Sequence, residues 1–253
     1  ALLPDFRINY GQVQEGGEMR KIFLLMLFAA LMLANVIVIL PDNIVKANII
    51  TVDDSGGSDF FKIQDAVNFS NVGDTIFVYN GVYHDRIQIN NQISLIGENR
   101  SSTIVDGEYK GGEMCSVYCD GVEISGFTFK RSAAGMHLIS AANCVINNNR
   151  IESNTNAGGY GLILDSANSN NITNNIFINN SFGGGNCISV SNSDNNLFNG
   201  NNISNNLHGV SFFISDNNIL KNNIFGYTEH FQTLKFSVCS GNKIFHNNFI
   251  GSP

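Results

Sequence analysis

The chain has no tryptophan, three prolines and few charges, 14% of its 253 residues. So few charges exclude a surface solvated by ion-pair networks, and amides and hydroxyls must do that work instead. Lys and Arg number 14 against 21 Asp and Glu, a formal net charge of -7, and no basic stripe is present. That balance argues against nucleic acid as a partner and suits a cation or a neutral glycan better. No CxxC pair occurs, which argues against a zinc site. The five cysteines, Cys115, Cys119, Cys144, Cys187 and Cys239, are an odd number and cannot all pair internally; small apolar packing residues are the plain reading. What the chain has instead is glycine, 25 residues, and asparagine, the dominant polar type of its second half.

Near the start, Arg20 and Lys21 precede an apolar run from Ile22 to Leu40 interrupted only by Asn35. Residues 19–47 read as an export signal, with Val45 and Ala47 at the small-residue positions and cleavage after Ala47. About 20 apolar residues can also span a bilayer, so a retained membrane anchor is the alternative. Any membrane contact is expected through this segment alone. Met19 is the first methionine, and residues 1–18 read as translated upstream sequence. The expected location is secreted, periplasmic or on the cell surface.

The segments INNNRI, ITNNIF, FNGNNI, LKNNIF and FHNNFI share one pattern, apolar-x-(Asn/Gly)-Asn-x-apolar. They begin at Ile146, Ile172, Phe198, Leu220 and Phe245, and a degenerate copy, ISGFTF, begins at Ile124; the spacings are 22, 26, 26, 22 and 25 residues. A period of that size means a solenoid. Eleven positions before each anchor begins a second pattern: Gly135-Met136-x-Leu138, Gly161-Leu162-x-Leu164, Cys187-Ile188-x-Val190 and Gly209-Val210-x-Phe212. Its alternation predicts a strand with one buried face. The anchor closes a second strand and the apolar residue five positions later opens a third, so three short strands per turn describe an all-β, single-stranded parallel β-helix over residues 48–253. Gly and Asn tolerate left-handed backbone angles, which explains the bends. Stacked about 4.8 Å apart, Asn149, Asn175, Asn201, Asn223 and Asn248 are expected to form a hydrogen-bonded file. Ile63, Ala66 and Val67 in SDFFKIQDAVNFS predict an amphipathic capping helix over the first coil.

TVDDSGGSDFFKIQDAV, GDTIFVYNGVYHD and ISLIGEN resemble the opening coils of the pectin-lyase-like right-handed β-helix superfamily. The repeats after them resemble its secreted carbohydrate-binding and sugar-hydrolase type, which includes NosD-like periplasmic proteins. The resemblance covers Ile49 to Pro253 and implies a right-handed helix; it does not single out an activity. Gly81-Val82-Tyr83-His84-Asp85 resembles the G-x-Y-x-E segment of pectin methylesterases, with Asp in place of Glu. The later catalytic motifs of esterases and polygalacturonases are not found.

Candidate site residues follow from the register. Asn168, Asp194 and Asp216 lie four positions before successive anchors. Carboxylates about 5 Å apart there could hold calcium, or support retaining hydrolysis if they faced a sugar; Asp hydrogen-bonding its own bend is the plainer reading. His137, Ile163, Ser189 and Ser211 form one outward row, Ile139, Asp165, Ser191 and Phe213 another, with Tyr160 and His208 just before the strand. In the resembled superfamily glycan grooves run along this face. His137, Tyr160, Asp165, His208 and Phe213 are therefore the candidate ligand-binding residues, and Asp165, Asp194 and Asp216 the candidate catalytic acids. His137, His208 and His246 fall on different rows, so no repeat-built copper or zinc site forms. Lys130 and Arg131 are weighed as a lyase base and clamp against solvated loop charge. The expected role is binding or acting on polysaccharide at the cell surface or in the periplasm, more as a binding or structural module than a catalyst. No cofactor is expected other than calcium at the Asp194 and Asp216 carboxylates. A glycan lyase or hydrolase is the rival, favoured if three or more Asp, Lys and Arg cluster in one groove; a surface-layer or adhesin segment is a third reading. Further coils or domains C-terminal to Pro253 are also expected.

Overall fold

The structure is a computed structural model and describes residues 47–156, 158–180, 184–227 and 233–251. Segment 1–18 and the apolar run after it lie outside the described residues. Among the described residues no helix is long and apolar enough to cross a membrane.

The chain winds into a right-handed solenoid of about eight turns, built from three parallel sheets of nine, eight and seven strands. These are called sheets I, II and III. Each coil gives one strand to each: Val145–Asn147 to sheet I, Arg150–Glu152 to sheet II, Tyr160–Asp165 to sheet III, after which Asn171–Thr173 returns to sheet I beside Val145–Asn147. The alternation predicted from sequence decides which side chains turn inward. Ile124, Ile146, Ile172, Phe198 and Leu220 stack in one buried file of sheet I, and Phe129, Ile151, Phe177, Ile203 and Phe225 in one of sheet II. Burying each such side chain is worth about 2 kcal/mol, so these files supply the main drive for winding.

The bends between sheets I and II are left-handed at one position per coil. Gly126, Asn148, Asn174, Gly200, Asn222 and His246 have φ of 83°, 55°, 55°, 70°, 56° and 55°. The next residue carries the file of amides. Asn175 Oδ1 accepts the Asn149 N–H at 2.9 Å while its Nδ2 donates to the Ile146 carbonyl at 2.7 Å. Asn201 does the same for Asn175 and Ile172, and Asn223 for Asn201 and Phe198. Each side chain thus satisfies backbone groups that the neighbouring coil turns away from its ladder. The final member is Asn247, not Asn248: Asn247 Oδ1 accepts the Asn223 N–H at 2.8 Å, and Leu220 pairs with Ile244 rather than Phe245. His246, not Asn247, takes the left-handed position, which shifts the last anchor back by one residue.

Two more files brace the other bends. Asn170, Asn196, Asn218 and Asn242 link consecutive coils between sheets III and I, each Oδ1 accepting the backbone N–H of the residue stacked in the preceding coil. Asn154, Asn180 and Asn206 do so between sheets II and III. Cys144 holds the asparagine position of the coil before Asn170, its Sγ 3.6 Å from the Cys119 carbonyl.

The capping helix is observed at Ile63–Phe69, with Ile63, Ala66 and Val67 buried. The esterase-like segment is structural here. Tyr83 is a core residue whose hydroxyl donates to the Tyr79 carbonyl at 2.8 Å, and Asp85 Oδ2 accepts the Ile63 N–H at the helix start at 2.7 Å. A Cβ on Gly81 would meet the Asp54 carboxylate, which accepts the Val82 N–H. At the opposite end Phe236, Ile244 and Phe249 extend the inward files and stand exposed.

Candidate functional site

Sheet III has the expected outer rows. His137, Ile163, Ser189 and Ser211 are in register, as are Ile139, Asp165, Ser191 and Phe213. Two additions precede His137 in its row, Gln88 and Ser116. Phe213 is 47% exposed and Asp165 is exposed with its Oδ1 accepting from Ser166 Oγ at 3.3 Å. They lie two coils apart, about 10 Å. Tyr160, half-buried, begins its strand opposite Ala134. His208 is half-buried, and its carbonyl accepts the Cys187 N–H at 3.2 Å.

The best-defined polar group on this face includes a residue the sequence reading missed. Glu113 Oε1 bonds His137 Nδ1 at 2.6 Å, and Glu113 Oε2 accepts from Ser116 Oγ at 2.6 Å. A carboxylate offers only acceptors, so the proton of a neutral His137 sits on Nδ1, and Nε2 is then a buried acceptor without a partner among the described residues. Met114 and Cys115 both point inward, so Glu113 lies three positions ahead of Ser116 on the same face.

Asp194 and Asp216 belong elsewhere, to the bend between sheets III and I. Asp194 Oδ1 accepts the Asp216 N–H at 2.7 Å and Asp216 Oδ1 the Ser240 N–H at 2.6 Å. One oxygen of each carboxylate is therefore engaged by the backbone, and the structure does not bring them to Asp165.

Lys130 and Arg131 take part in a cluster at the bend between sheets II and III. Arg131 binds Asp106 through Nε, at 2.7 Å, and Nη2, while Lys130 Nζ lies 3.6 Å from Asp106 Oδ2. Asp106 is 2% exposed. Burial raises its pKa, but the Arg131 hydrogen bonds, the Glu108 N–H and the charges of Arg131 and Lys130 outweigh this and hold it below the usual carboxylate range. Glu152 follows Lys130 in the same outward row and pairs with Arg150 at 2.6 Å.

Copper and calcium each demand a convergent set of donors. His137 has a carboxylate on Nδ1, as metal-bound imidazoles do, yet among the described residues no three of His, Cys, Asp and Glu converge on one point. Cys115 and Cys187 are enclosed, and burial pushes both thiols up, Cys115 to about 12. Met114 and Met136 lie in the core. The described residues do not fit a copper centre, and Asp194 with Asp216 is too small a set for a calcium cage.

A three-sheet right-handed β-helix with a polar outer face on sheet III is the class of protein this geometry defines. Residues 67–253 match the family model described as periplasmic copper-binding protein (NosD), so the chain belongs to that family. No curated protein matches it in sequence. A Geobacillus virus E2 protein, ORF18, has a similar structure, with a TM-score of 0.56 and 15% identity over 72% of this chain and 46% of that one. The chain spans about half the length of that protein. Also similar are an alginate lyase from Paenibacillus sp. str. FPU-7, with TM-score 0.46, 12% identity and coverage of 81% and 98%, and a pectin methylesterase from Yersinia enterocolitica, with 0.45, 12% and coverage of 76% and 90%. Identity this low speaks to fold alone.

Proposed function

We propose that this chain is an exported protein that binds polysaccharide along the outer face of sheet III. The observation that carries the reading is the exposed pair Asp165 and Phe213 in one outward row of sheet III, on the face where Tyr160 lies half-buried and the hydrogen-bonded set Glu113, Ser116 and His137 braces the preceding coils. Aromatic rings stack on sugar faces, and carboxylate, hydroxyl and imidazole groups bond sugar hydroxyls. A glycan-array screen of the mature chain tests it. Retention of at least one glycan, weakened by Tyr160→Ala and by Phe213→Ala, is the expected result; binding that neither change affects would remove this face from consideration.

A glycan-cleaving enzyme is the second reading, supported by the grouping of Asp106, Lys130 and Arg131 beside Glu152. That grouping lies at a bend at the edge of sheet II, not in a groove of sheet III, and Asp106 is buried within it, so it does not meet the criterion of three or more exposed charged residues in one groove. Release of reducing or unsaturated ends from a glycan the array identifies, abolished by Lys130→Gln, would establish it. The family's copper-binding description finds no donor set among the described residues and contributes nothing to either reading.

A further inference from the structure

We infer that loop Gly107–Gly112, held between Arg86 and Arg131 of the flanking coils, is a subsite for an oxyanion carried by the ligand, a carboxylate or a sulfate on a sugar. The inference rests on the glycan reading above and adds the charge of the ligand.

The loop is strained in a specific way. Glu108 and Tyr109 are consecutive residues with φ of 50° and 59°, followed by Gly111 and Gly112 at 69° and 81°. Two adjacent residues bearing a Cβ rarely share the left-handed region, and they persist there only where the surroundings impose it. Here the Glu108 N–H donates to Asp106 Oδ1 at 3.0 Å and the Tyr109 N–H to the Arg131 carbonyl at 2.7 Å; Asn156 Nδ2 donates to the Tyr109 carbonyl. The outcome is an aromatic ring 52% exposed at the bend, with the Arg131 guanidinium carbon 5.5 Å from its centre. Next to it the Lys110 side chain is 72% exposed.

The charges do not cancel. Arg86, Lys110, Lys130 and Arg131 surround two carboxylates, those of Asp106 and Glu108; Lys110 Nζ is paired with Glu108 Oε2, which leaves an excess of two positive charges, and Glu152 beside Lys130 is matched by Arg150. Asp106 is enclosed and committed to Arg131 and Lys130. Arg86 donates to the Lys110 and Gly111 carbonyls and to no carboxylate among the described residues, and its guanidinium fills the space a Cβ on Gly112 would need. Positive charge in excess at one bend of a chain with net charge -7 favours an anion there. Guanidinium and ammonium donors beside a half-exposed ring match a charged sugar: donors to the oxyanion, ring to the pyranose.

Carboxymethyl-dextran, dextran sulfate and neutral dextran share a backbone and differ in charge. Fluorescence-anisotropy titration of the full chain with each, at low and high salt, is the test. One or both charged polymers should bind, more weakly at high salt, and neutral dextran should not. Lys110→Gln and Arg86→Gln should each weaken that binding by about fivefold, the loss of one surface ionic contact. Lys110 braces no backbone group and its pair with Glu108 is exposed, so its variant should melt within about 2 °C of the parent. The preferred charged polymer assigns the oxyanion. Equal binding of charged and neutral polymers, no binding of either charged one, or parental affinity in both variants would overturn the proposal. Tyr160→Ala and Phe213→Ala on the glycan array probe sheet III separately, so the loss of either reading is visible without the other.

Discussion

Replacing Asn175 by alanine tests the amide file where it is most enclosed. Asn175 is 1% exposed, and its side chain accepts the Asn149 N–H and donates to the Ile146 carbonyl. Truncation strands both backbone groups in an apolar stack that water does not reach. Each unsatisfied buried group costs about 1–3 kcal/mol, so the pair predicts a loss of about 4 kcal/mol. For a domain of this size that corresponds to a fall of about 8–16 °C in melting temperature. Asn201 keeps its own bond to the Asn175 N–H, so the damage stays at one bend. Asn171, exposed on the outer row of sheet I, is the control, and Asn171→Ala should change stability by less than about 0.5 kcal/mol. Urea unfolding followed by circular dichroism measures both. Equal midpoints for the two variants would refute the claim that these amides hold the coils together.

Other outcomes follow from single positions. Gly126→Ala should cost more than about 2 kcal/mol by thermal melting, because φ is 83° and a Cβ would overlap the Gly97 carbonyl oxygen. Gly200→Asn, at the position Asn174 and Asn222 hold in neighbouring coils, should cost less than about 1 kcal/mol. Because the folded pKa of Asp106 lies below its unfolded value, its stabilisation is present above about pH 4 and is lost as pH falls through the folded value. Asp106→Asn should therefore flatten the acid limb of the stability profile, read as melting temperature against pH. Iodoacetamide at neutral pH should leave Cys115 and Cys187 unlabelled in the native protein, because both are enclosed and burial pushes their thiols up; peptide mass spectrometry reads each site.

The solenoid was legible because its signals are local and repeat. The left-handed residue, the amide after it and the inward apolar residue fall within one hexapeptide, and the spacing does the rest. The last coil misled because Ile244 and Phe245 are both apolar and Asn247 and Asn248 are both amides, so the hexapeptide alone allows two alignments. Stacking decides between them, since only Asn247 reaches the Asn223 N–H. The other two amide files were also present as spacing, Asn170 to Asn196 to Asn218 and Asn154 to Asn180 to Asn206. They lack the flanking apolar signature that drew attention to the first.

The site was less legible. Glu113 meets His137 of the adjacent coil, through a stretch where Met114 and Cys115 both turn inward and the period-two count fails. Arg131 and Asp106 are 25 residues apart and belong to coils whose repeats are degenerate. Distances across coils depend on register, and register in the first coils has no asparagine file to mark it.

Hydrogen–deuterium exchange of the bends between sheets I and II tests the stacked-amide account most directly. The Asn149, Asn175, Asn201 and Asn223 amides donate to side-chain oxygens of the next coil, so peptides covering them should exchange as slowly as the adjoining strands. Exchange at those four amides as fast as in an exposed loop would contradict it.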